Sequence, residues 1–90
     1  MKMTTLSAET IKDLYLAKIL YDLHVTKEKL SYFAAKYRST FDVFEGQLKN
    51  STKENFEVWD DYLEWKTYNK ILTELSTQKQ DLENGNIKVA

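Results

Sequence analysis

Val58, Trp65, Leu72 and Lys79 stand seven residues apart, and Asp61, Tyr68, Leu75 and Leu82 repeat that interval three positions later. Two interleaved sevenfold rows are the a/d signature of a helix seam, and nothing else in the chain constrains its fold as strongly. A helix carrying the seam from about residue 55 to residue 84 would be roughly 45 Å long at about 1.5 Å per residue. A compact domain of this length is only about 25–30 Å across. One end is therefore expected to overhang, and an overhanging apolar stripe needs a partner. Leu72, Leu75 and Leu82 form the expected oligomer seam.

The first turns of that helix hold both tryptophans and four carboxylates within Asn55–Lys66. Glu57, Asp61 and Glu64 fall at i, i+4 and i+7 and so share one face. Acids at a helix N-terminus complement its dipole, and aromatics fill a small core, which is one reading of the segment. The other is a binding surface, because Trp and Tyr dominate interface hot spots. Trp59, Tyr62, Trp65 and Tyr68 point over more than half the helix circumference, so some are expected to meet a second chain. The candidate partner-binding set is Glu57, Trp59, Asp61, Tyr62, Glu64, Trp65 and Tyr68.

The remaining sequence argues an all-α fold, a small bundle of three to four helices forming a single domain over residues 1–90. The chain has no proline and two glycines, which favours long uninterrupted helices. Residues 1–6 read as frayed, and Ser7 can cap a helix over 7–23. Ile11, Leu14, Tyr15, Leu16, Ile19, Leu20, Tyr21 and Leu23 leave it no single wet face, so it should be packed on two sides. A break is expected at His24-Val25-Thr26, with His24 closing one helix and Thr26 capping the next over 27–37. Leu30, Phe33, Ala34 and Tyr37 make the face of that second helix. Ser39 or Thr40 caps a short helix over 41–48 bearing Phe41, Phe44 and Leu48. Lys49–Lys53 reads as a loop, Gly85 as the stop of the long helix, and 85–90 as a tail.

Residues 1–38 carry a net charge of +3 and residues 39–90 a net of −4. The acidic half argues against nucleic acid as a direct ligand, since phosphate contacts dominate that affinity. Without cysteine there is neither a disulfide framework nor a thiolate metal site. One histidine and two glycines cannot build a phosphate loop, a nucleophile elbow or a catalytic triad, so no enzyme activity and no cofactor are expected. Glu57, Asp61 and Glu64 lack a second Glu-x-x-His cluster to complete a di-metal bundle site, and no metal is expected. With no signal-like start and no apolar run near the roughly 18 residues of a membrane span, a cytoplasmic protein without membrane contact is expected.

Lys36-Tyr37, then Ser39-Thr40-Phe41-Asp42-Val43-Phe44-Glu45, then Asn55–Lys66 with its Asp60-Asp61-Tyr62-Leu63-Glu64-Trp65 run, resemble small helical antitoxin-like proteins of prokaryotes and archaea. These are encoded beside toxin genes. The resemblance covers roughly residues 36–84, and Arg38 stands where that family has glycine. It implies a protein–protein interaction module that neutralises a small basic toxin through an acidic, aromatic helix face. The alternative from the residues themselves is a homo-oligomeric helical scaffold or adaptor without catalytic activity.

Overall fold

The computed structural model describes residues 7–52 and 55–85. Among them are three helices and no strand: α1 (Ala8–Tyr37), α2 (Phe41–Lys49) and α3 (Phe56–Glu83). The readings of residues 1–6 as frayed and of 86–90 as tail lie outside the described residues.

Each helix starts on a capping side chain. Ser7 Oγ accepts the backbone N–H of Thr10 at 3.1 Å, Thr40 Oγ1 that of Val43 at 3.4 Å, and Asn55 Oδ1 that of Val58 at 3.3 Å. The stops differ. Arg38 closes α1 in the left-handed region at φ 49, where its own N–H and that of Ser39 both reach the Ala34 carbonyl. That backbone is one glycine adopts freely and other residues reach only at some cost. Gly85 supplies the same conformation after α3 without penalty, at φ 72, as the sequence led one to expect.

The expected break at residues 24–26 does not occur; the separate 7–23 and 27–37 helices are one helix of 30 residues. Thr26 is buried and donates its hydroxyl to the Asp22 carbonyl at 2.7 Å, so the group expected to cap a new helix satisfies itself within the old one. His24 ends nothing either; its Nε2 lies 3.1 Å from Glu28 Oε1, one turn along. Nothing in the segment, neither glycine nor proline, interrupts the ladder. A sevenfold seam runs straight through it. Leu16, Leu23, Leu30 and Tyr37 form one row and Ile19, Thr26 and Phe33 the other, all buried or half-buried.

The fusion gives α3 a partner of matching length, 30 residues against 28, so its own seam does not overhang; the two are staggered instead, since Ile19, well inside α1, already meets Leu82 near the end of α3. The two pack antiparallel. Phe33, late in α1, meets Trp65 early in α3, while Ile19 and Leu23 meet Leu82 near its end. All eight seam positions of α3, from Val58 to Leu82, are buried or half-buried. The seam is real, and α1 fills it.

α2 folds across one end of this hairpin. Phe44 and Leu48 join Phe33, Tyr62 and Trp65 in an aromatic core, with Phe44 at 5.2 Å and Phe33 at 5.8 Å from the Trp65 ring. The opposite end has only Ile19, Leu23 and Leu82, flanked by Leu16, Leu72 and Leu75. Among the described residues no helix is long and apolar enough to cross a membrane.

Candidate functional site

The N-terminal half of α3 sends its side chains in three directions, and only one is open. Inward, along the seam, Val58, Trp65 and Tyr68 pack with α1 and α2. Trp65 is 3% exposed. Toward α2, Tyr62 stacks on Phe41 at 5.7 Å and donates its hydroxyl to Glu45 Oε2 at 2.6 Å. That hydrogen bond, with burial behind it, raises the Tyr62 hydroxyl above its ordinary value. Outward stand Phe56 (80% exposed), Trp59 (37%) and Leu63 (56%). Their spacing of i, i+3 and i+7 makes them one stripe.

The acids divide in the same way. Asp61 is not an open surface charge: Lys36 Nζ of α1 lies 2.6 Å from its Oδ2, and the Tyr37 hydroxyl donates to that same oxygen. Lys36 also reaches Glu57 Oε1 at 3.2 Å. Burial pulls the Asp61 carboxyl upward, but the hydrogen bonds from Lys36 and Tyr37 outweigh it and hold the group below the usual carboxylate value. Burial and the bond to Asp61 push the Tyr37 hydroxyl up to about 12. The Lys36 ammonium is raised by its hydrogen bond to Asp61, against desolvation. This network clips the C-terminus of α1 to the N-terminus of α3. A lysine ammonium occupies the position a cation would need between Glu57 and Asp61, and among the described residues no three acidic or histidine groups converge as a metal site.

Glu64 and Asp60 remain exposed. With Glu57 they border the Phe56–Trp59–Leu63 stripe on one side, since each lies one residue beyond a member of the stripe. Tyr62 borders it on the other, with Trp59 packed edge-on against it at 5.6 Å and Lys66 Nζ 5.8 Å from the Tyr62 ring.

The expected partner-binding set therefore splits. Tyr62 and Trp65 are core residues, Tyr68 is half-buried in the same cluster, and Asp61 serves the α1–α3 clip. Leu72, Leu75 and Leu82, expected to pair with a second chain, are covered by α1 of their own. The physical reason is shared: α1 runs unbroken and reaches every seam position of α3. Only Trp59, Glu57 and Glu64 keep outward surface, and Glu57 shares the Lys36 ammonium.

Phe56, Asp60 and Leu63 stand on this surface although the expected partner-binding set did not include them. The signal was present, as Phe56 and Leu63 are themselves seven apart, offset by two positions from the Val58–Trp65 row. No protein-family model, curated protein or solved structure matches the chain.

Proposed function

We propose that this chain is a protein-binding module that engages a basic protein through the outer face of α3, in the manner of an antitoxin-like inhibitor. The observation that carries the reading is the stripe of Phe56, Trp59 and Leu63, left uncovered beside a core that takes in every neighbouring ring. Single exposed apolar residues are ordinary, but three in register on one helix face, including a tryptophan, make a contiguous patch of the kind that marks interfaces. Glu57, Asp60 and Glu64 along one edge select a partner whose apolar groove is rimmed by Lys or Arg, and steer its approach. A toxin acting on RNA or nucleotides would present such a basic cleft, with the acids governing encounter and the indole anchoring the complex.

The test is co-expression with the product of the gene adjacent to its own, scored by growth and by co-purification of the two purified proteins. The double variant Trp59→Ala with Leu63→Lys is expected to lose both neutralisation and binding while keeping its helical circular dichroism. Asp60→Lys with Glu64→Lys should slow association and steepen nothing in the fold, because neither acid is part of the α1–α3 clip. Full neutralisation by both double variants would reject this face as the binding surface.

A further inference from the structure

We infer that α2 readies the α3 stripe from behind: Tyr62, held by α2, is the positioning residue that fixes the Trp59 indole in the orientation a partner meets. The inference rests on the proposed function, because it concerns how that same stripe is made competent to bind. The stripe residues are not equally free. Phe56 keeps 80% of its surface and Leu63 56%, but Trp59 only 37%. One side of the indole is taken by the Tyr62 ring, with centroids 5.6 Å apart and planes at 89°. That edge-on arrangement is one that aromatic pairs favour.

Tyr62 owes its own position to α2. Phe41 stacks on its ring at 5.7 Å with planes within 8°, and Glu45 accepts its hydroxyl at 2.6 Å. Both belong to α2; from its own helix the ring has the Lys66 ammonium at 5.8 Å. Two side chains three positions apart on a bare helix hold each other only weakly. Without Phe41 and Glu45 the Tyr62 ring is free to turn, and the indole loses the wall it leans on. α2 has nine residues, too few to be a stable helix by itself, so its place depends on Phe41, Phe44 and Leu48 reaching the aromatic core. An unsupported indole has three staggered wells at χ1 and two broad ones at χ2, which leaves the competent rotamer about one part in six. Apparent affinity falls with that fraction, so docked α2 strengthens binding about three- to six-fold through Trp59 alone.

The experiment has one arm without a partner and one with it. In the full chain labelled with 5-fluorotryptophan, the two indoles give separate fluorine resonances, assigned by Trp59→Phe. In Phe41→Ala the Trp59 resonance is expected to narrow and move toward that of the free amino acid. Glu45→Ala, the milder variant, should move it the same way by less, and Glu45→Gln, which keeps an acceptor for the Tyr62 hydroxyl, should restore the parent signal. Circular dichroism checks that the α1–α3 hairpin persists in each. Binding to the product of the adjacent gene should weaken about three- to six-fold in Phe41→Ala and recover in Glu45→Gln relative to Glu45→Ala. A Trp59 resonance unchanged in Phe41→Ala overturns the inference, and weaker binding beside that unchanged resonance means that Phe41 touches the partner directly. Binding lost in Trp59→Ala but untouched in Phe41→Ala overturns this inference alone. Binding indifferent to Trp59→Ala overturns the proposed function together with it.

Discussion

The two ends of this hairpin are built from the same pair of helices and held together differently. At one end four buried aromatics and a leucine are brought together with α2, and the Lys36–Asp61–Tyr37 network ties the helices across the junction. At the other, three aliphatic side chains meet with no third helix and no inter-helix ion pair among the described residues. The sevenfold seam is common to both, so periodicity brings α1 and α3 together. It does not decide how tightly a given stretch is held. That depends on what else covers it, and here α2 covers one end alone.

The contrast is sharpest in core truncation. Trp65→Ala removes the ring on which Phe33, Phe41 and Phe44 all pack and is expected to cost about 3–5 kcal/mol. Total stabilities of small domains are only about 5–15 kcal/mol, so this variant should be largely unfolded in mild urea. Leu82→Ala, at an end with room to relax, should cost about 2 kcal/mol. Native-state hydrogen exchange on the parent chain should show amides around Leu16–Leu23 opening at lower free energy than those around Phe33. Equal costs and uniform protection would show that the ends form one cooperative unit, and the comparison would break.

The clip gives a smaller effect with a pH signature. Asp61→Ala should lower stability by about 1 kcal/mol, discounted for the network's contact with solvent. In the parent, Tyr37 is held protonated to about 12 against an ordinary 10.0, so its contribution is whole below pH 10 and lost as pH rises from 10 toward 12. Asp61, held below its ordinary 3.8, contributes above that value and loses its share as pH falls beneath it. Urea midpoints across pH should fall at both extremes in the parent and flatten in Asp61→Ala. A parent curve flat on both sides would remove the network from the account of what holds this end.

The smallest expected change is a gain. Arg38 holds a left-handed backbone that costs a non-glycine residue roughly 1–2 kcal/mol, partly offset by the greater freedom glycine has in the unfolded chain. Arg38→Gly should raise stability by about 0.5–1 kcal/mol in thermal melts. A loss instead would mean the guanidinium contributes something at the α1–α2 corner that backbone conformation does not.

The ends of α2 and α3 were legible because caps are local: Thr40 and Asn55 each act within three residues, and the expected 41–48 and about 55–84 fall within a residue of what is observed. α1 was misread because Thr26 is a polar residue at a core position, and polarity there looks like punctuation. The row Leu16, Leu23, Leu30, Tyr37 carried the better signal, since a seam that keeps its phase across a suspected break argues that no break exists. Trp65 and Tyr62 were recognised as anchors but not as internal ones, because the α1 that buries them had been cut in two. Asp61 was assigned to the surface because its partner, Lys36, lies 25 residues back on another helix. No spacing rule reaches that far.

Because both seams repeat every seven residues and run in opposite directions, this hairpin behaves as a ruler with fixed graduations. Excising one heptad from each helix would bring the two clusters of buried side chains about 10 Å nearer while returning every inward residue to an equivalent socket. Intermediate lengths would rotate one cluster off its bearing. Separation between the two ends is thus a quantity the sequence can change only in whole steps.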